Sequence, residues 1–160
     1  MTVDHKYFSS LISPSQVLRG EEAWGKGKYL ISEICKRPLI LGRSQKTLAL
    51  RNRLKQEIEN LDIKVKSLEL NYGCCELDLV RIQSITKKFN CDGVIAAGGG
   101  KVLDAGKLIA NRLKIPCITV PLSPATCAGW TALSNIYSPE GAFIKDISLE
   151  RCPNVPPRAG

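Results

Sequence analysis

The sequence predicts an α/β fold: a Rossmann-like parallel sheet with helices on both faces, plus a β-hairpin. Three observations predict it. Short apolar runs at 38–42, 93–97 and 116–120 alternate with longer segments of helical period, the pattern of βαβ units. The run Gly93-Val94-Ile95-Ala96-Ala97 stops in Gly98-Gly99-Gly100 and passes straight into a helical pattern, so strand, tight turn and helix follow without a linker. After Pro121 the helical period disappears, and two strand-like runs flank the turn signal Ser138-Pro139-Glu140-Gly141, which reads as a hairpin.

The elements follow in order. Residues up to Pro14 are polar and irregular, and Ser15–Arg19 reads as a short strand closed by Gly20. Glu21–Cys35 reads as a helix weakened by Gly25 and Gly27. Pro38–Gly42 is a short buried strand. Thr47–Leu61 is a helix with Leu50, Leu54, Ile58 and Leu61 on its apolar face. Ile63–Leu70 alternates as a strand, with one break in phase at Ser67. Glu76–Phe89 is a helix turning Leu79, Ile82 and Ile85 inward. The glycine-ended strand comes next. Its helix, 101–113, carries Val102, Ala105, Gly106, Ile109 and Leu113 on one face. Pro116–Val120 is a strand stopped by Pro121. Leu122–Gly129 is a loop of small residues, and Thr131–Tyr137 and Ala142–Leu149 form the hairpin. Residues 151–160 show only turn signals. The expected division is a nucleotide-binding α/β domain over 1–150 and an irregular tail over 151–160.

Composition narrows the class. A chain of 160 residues suits one domain with a real core. No apolar run approaches the roughly 20 residues that span a bilayer, and the N-terminus lacks the apolar centre of a signal peptide. A cytoplasmic protein is expected, with no membrane partner. The seven cysteines include no C-x-x-C pair, and His5 is the only histidine. Free thiols are therefore expected and a zinc site is not. The net charge of +8 concentrates at Arg43, Lys46, Arg51, Arg53 and Lys55. Few aromatics alternate with these residues, so a solvated helix face fits better than a nucleic-acid platform. No nucleic-acid partner is expected.

The glycine turn carries the chemistry. Glycines let a backbone approach a phosphate, and N–H groups at a helix N-terminus point at the anion. Lys101 places a positive charge where the helix dipole favours a negative one. A bound pyrophosphate accounts for it, against the alternative of a plain turn with a surface lysine. The turn is not a Walker A loop, because Val102 stands where that loop has Ser or Thr. Nor is it the standard dinucleotide fingerprint, because Leu103 replaces the third glycine.

The run Gly98-Gly99-Gly100-Lys101-Val102-Leu103-Asp104-Ala105-Gly106-Lys107 resembles the G-G-G-K-x-x-D-x-x-K motif of the glycerol dehydrogenase group. That group lies within the iron-containing alcohol dehydrogenase and dehydroquinate synthase-like superfamily. Val120-Pro121, Thr126, Thr131-Ala132-Leu133-Ser134, Ile136-Tyr137-Ser138 and Gly141 follow in the group's order, so the resemblance extends over roughly 15 to 150.

The resemblance implies an NAD- or NADP-linked oxidoreductase acting on a small alcohol or polyol. Its α/β domain would hold the cofactor. A helical domain, whose ligands are missing from this sequence, would hold zinc or iron. Gly98, Gly99, Gly100 and Lys101 would meet the pyrophosphate, with Thr126 nearby. Thr131, Leu133 and Tyr137 would approach the nicotinamide. Asp104 suits either the cofactor or a structural role near the helix start, and Lys107 reads as a solvated helix residue. Without metal ligands, no residue of this chain is assigned as catalytic, and the chain alone is expected to be inactive. Apolar surface left where the helical part would pack is expected to promote a homo-oligomer.

The sequence also departs from the group. Leu122 and Ala125 replace a Thr and a Ser, and Cys127 replaces the substrate-binding Asp, which argues against glycerol itself. Gly42-Arg43 replaces the ribose-binding acid after the first strand. Arg43 either meets the extra phosphate of NADP or simply begins the basic helix. Two alternatives stay open: a nucleotide-binding or assembly module without chemistry, and a dehydroquinate synthase-like lyase. The Thr131–Ser134 match speaks against the lyase.

Overall fold

A computed structural model describes residues 14–124 and 126–150. The order of elements is α1 (Ala23–Ile34), β1 (Pro38–Gly42), α2 (Leu48–Glu59), β2 (Lys66–Glu69), α3 (Glu76–Lys88), β3 (Gly93–Gly98), α4 (Gly100–Leu113), β4 (Cys117–Pro121), β5 (Leu133–Tyr137) and β6 (Phe143–Ser148). A 3-10 turn over Gln45–Thr47 precedes α2.

Four strands form one parallel sheet in the order β2-β1-β3-β4. Strand alternation separates two cores. Leu39, Leu41, Val94 and Ala96 face α3 and α4. Ile40, Ile95 and Ile118 face α1 and α2. β1 and β3 are buried at every position, as expected of central strands covered on both faces. The antiparallel pair β5-β6 is a separate two-stranded sheet. Ile136, Ile147 and Leu149 seat it against the α3/α4 side of the core.

The chain passes from β1 out to β2 and back across to β3, so the direction of strand order reverses between β1 and β3. Open α/β sheets bind ligands outside the carboxyl ends of the strands at such a point. The register sets Leu41 beside Ala96, so Gly42-Arg43 and Gly98-Gly99 leave the sheet side by side.

Four expectations need correction. No strand forms at 15–19: Val17 and Leu18 are exposed and have no partner strand. The strand expected over 63–70 shortens to Lys66–Glu69; Ile63 and Leu70 are still buried, but outside it. On α2 the buried face is Arg51, Leu54 and Ile58, while Leu50 faces solvent. Arg51 is thus not part of a solvated face: its side chain is only 5% exposed. Lys107, read as solvated, is 2% exposed, because β5 packs over α4 at that point. Residues 1–13 and 151–160, including His5, Cys152 and the expected tail, lie outside the described residues, as does Ala125.

Candidate functional site

The glycine turn is built by close packing. A Cβ on Gly98 would sit 2.9 Å from both Cβ and Cγ2 of Val102, so the first turn of α4 folds directly onto the strand end. Gly99 is the N-cap and has no side-chain cap. Its carbonyl accepts from the N–H groups of Val102 at 3.0 Å and Leu103 at 3.1 Å. On the outer side there is room. A Cβ on Gly99 would meet only Ser123 at 3.9 Å, and one on Gly100 only Thr126, whose Oγ1 lies at 3.4 Å. Bare backbone at the positive end of a 14-residue helix therefore opens on a cleft, the arrangement that receives a phosphate.

The cleft encloses about 410 Å³. One wall is the start of α4: Gly100, Lys101 and Asp104. The loop after β4 contributes Ser123, Thr126, Cys127 and Ala128. The third wall is Thr131, Leu133, Asn135 and Tyr137. Leu133, Asn135 and Tyr137 alternate along β5, whose other face, Ser134 and Ile136, is buried; Thr131 lies just before the strand.

Lys101 is held at the rim. Its stem passes Gly73, where a Cβ would approach Lys101 Cδ to 3.2 Å, and its ammonium rests 4.9 Å above the centre of the Tyr137 ring. The loop carrying Gly73 is fixed by Asp78, whose carboxylate accepts from the N–H groups of Asn71, Tyr72 and Gly73 at 3.1, 2.7 and 3.0 Å. Burial opposes the Asp78 charge, but these donors and Arg81 outweigh it and hold its pKa low.

Asp104 and Lys107 tie α4 to the hairpin. Lys107 Nζ lies 3.2 Å from Asp104 Oδ1 and donates to Thr131 O at 3.1 Å, to Thr131 Oγ1 at 3.4 Å and to Leu133 O. Asp104 Oδ2 accepts from Asn135 N–H at 3.3 Å, and its main-chain carbonyl accepts from Ser134 Oγ at 3.1 Å. Burial pushes the Asp104 carboxyl above the ordinary range, and the Lys107 ammonium and the Asn135 N–H pull it partly back.

At the end of β1, Gly42 lies against Arg51. A Cβ on Gly42 would fall 2.1 Å from Arg51 Nε. The guanidinium donates to Ser44 O at 3.0 Å, to Thr47 Oγ1 and to Glu69 Oε1 at 2.7 Å, and so pins the 44–47 segment to the end of β2. Arg43 is exposed beside this cluster.

The structure brings together Gly100, Lys101, Asp104, Thr126, Cys127, Thr131, Leu133 and Tyr137 on one cleft. Gly98 and Gly99 lead into it. Arg43 does not line it and stands at the neighbouring strand end. Asn135 was missed, although period-two alternation from Leu133 to Tyr137 points to it. Ser123 and Ala128 sit in an irregular loop that gives no such signal. Among the described residues no three His, Cys, Asp or Glu side chains could hold a metal.

The model of the iron-containing alcohol dehydrogenase family matches residues 14–156. The chain belongs to that family. An uncharacterized oxidoreductase of Synechocystis is 40% identical over 102 residues, 57% of this chain and 26% of that protein. Glycerol dehydrogenase of Escherichia coli is 26% identical over 144 residues, 89% of this chain and 39% of that enzyme. Two solved structures share the fold. A probable glycerol dehydrogenase from Sinorhizobium meliloti superposes with a TM-score of 0.77 at 22% identity, covering 90% of this chain and 39% of its own. An iron-containing alcohol dehydrogenase from Thermotoga maritima gives 0.78 at 20% identity, with 89% and 45% covered. This family member therefore spans less than half the length of those proteins. No helix among its described residues is long and apolar enough to cross a membrane.

Proposed function

We propose that residues 1–150 form the NAD(P)-binding unit of a metal-dependent alcohol or polyol dehydrogenase. The observation that carries this reading is the uncapped glycine turn opening on a cleft whose far wall is the β5 row. The backbone at Gly99 and Gly100 leaves room for a pyrophosphate, and Lys101 supplies a positive charge at the rim beside it. Thr131, Leu133 and Tyr137 stand where the nicotinamide would lie. When bound, the nicotinamide accepts a hydride from the alcohol carbon. This chain's residues bind and orient it. Zinc or iron belongs to the family's chemistry, but the described residues offer no ligand cluster for it.

Cys127 lines the cleft and is exposed. A thiol does not accept hydrogen bonds from a polyol as a carboxylate does, which favours an alcohol other than glycerol. Arg43, exposed just past the C-terminal end of β1 and outside the Arg51 cluster, supports a preference for NADP(H). Calorimetric titration of NADH, NADPH and ADP-ribose into the 160-residue chain tests the reading. Lys101→Ala is expected to weaken all three by about 1.5–3 kcal/mol, the worth of a charge-assisted hydrogen bond. Equal affinities in wild type and variant would remove the glycine turn from the site.

A further inference from the structure

We infer that Lys107 is a positioning residue that sets the nicotinamide end of the cleft by holding the first residues of β5 against α4. The inference rests on the cofactor reading above and goes beyond it, because Lys107 does not line the cleft.

The geometry is specific. A lysine ammonium has three protons and no acceptor capacity. Here it is given four oxygens, those of Asp104, Thr131 (two) and Leu133, in a side chain that is 1% exposed. Two of the partners are main-chain carbonyls at the entry to β5. Those carbonyls belong to Thr131 and Leu133, whose side chains face the cleft. The strand is thereby fixed in register and in height above α4. Asp104 completes the joint from the next turn of the helix, receiving Asn135 N–H and Ser134 Oγ. Every residue from 133 to 135, and Thr131, is bonded to Asp104 or Lys107 through at least one polar atom. At the far end of β5, Tyr137 N–H donates to Cys74 O at 2.8 Å, so along the 131–135 stretch it is Asp104 and Lys107 that supply the directional bonds to α4. The same helix supplies the glycine turn at its first residues, so one rigid element sets both the phosphate end and the nicotinamide end.

The test separates the two ends. Lys107→Met keeps the unbranched stem and removes the charge and the donors. It should weaken NADH or NADPH binding by about tenfold, the factor that the loss of one well-placed contact carries. Binding of ADP-ribose, which lacks the nicotinamide, should stay within about twofold. The double variant Asp104→Asn/Lys107→Met avoids leaving a lone buried carboxylate and should show the same selective loss, with circular dichroism reporting folding. Equal loss of ADP-ribose and dinucleotide, no loss of either, or failure of both variants to fold would assign Lys107 to stability alone and overturn the inference. Wild type that binds neither ligand would instead overturn the cofactor reading and the inference with it.

Discussion

Replacing Gly42 by Asp places an acid where dinucleotide enzymes that choose NAD keep one. In this chain the substitution meets Arg51. The new Cβ would lie 2.1 Å from Arg51 Nε and 2.4 Å from Cδ and Cζ, far inside contact distance. A long side chain can move, but this one is buried and held by Ser44 O, Thr47 Oγ1 and Glu69 Oε1. Displacing it forfeits three polar contacts. At roughly 0.5–1.5 kcal/mol each, and with the half-exposed Glu69 pair counted at the low end, Gly42→Asp should cost about 1.5–3.5 kcal/mol. Urea unfolding followed by circular dichroism measures this. In an Arg51→Ala background the contacts are already gone, so the same substitution should cost less than about 1 kcal/mol. Only the double variant should then turn cofactor preference toward NADH. An equal cost of Gly42→Asp in both backgrounds would refute the steric interlock. A gain of NADH preference in the single variant without loss of stability would refute the argument that Arg51 keeps acids out of this position.

Three further outcomes are expected. Gly106→Ala should destabilise despite the gain of about 1 kcal/mol in helix propensity: its Cβ would fall 2.4 Å from Ala96 Cβ, an overpacking worth about 1–3 kcal/mol, and a stabilised variant in urea melts would show that α4 has slack on the sheet. Thiol labelling at pH 8 should modify exposed Cys127 well before Cys35 or Cys74, both buried and each pushed by burial, with help from a nearby carboxylate, up to about 12; equal rates would place those two outside the core. Because the folded state holds these two thiol protons more tightly than the unfolded chain, their contribution to stability should be constant below the ordinary cysteine range near 8.5 and stability should fall from there toward pH 12; an alkaline rise in urea midpoint would contradict that.

The elements that alternate cleanly were legible. β1 and β3 are apolar at nearly every position because helices cover both faces, and that needs no partner to be seen. The glycine turn was legible because only a glycine at 98 lets Val102 fold onto the strand end. Residues 15–19 misled because two apolar side chains in an extended stretch imply a strand only if a neighbouring strand exists. Leu50 misled for a related reason. Helical period places a stripe, but the choice of face depends on what lies opposite, and here Glu69 and Ser44 draw Arg51 inward, one residue on.

Lys107 shows the limit most clearly. On its own helix it is one more lysine, and nothing in its local spacing says that it is buried. Its burial comes from Thr131 and Leu133, 24 and 26 residues further along. The signal was in the sequence as spacing, Asp104 and Lys107 one helical turn apart, which is also the spacing of an ordinary surface pair. What distinguishes the two cases is the hairpin that covers the pair, and the hairpin's docking is a tertiary fact. Asp104 and Lys107 therefore connect two parts that sequence reading found separately: the glycine turn at the start of α4 and the β5 row across the cleft. The cleft exists because the same helix makes both of its ends.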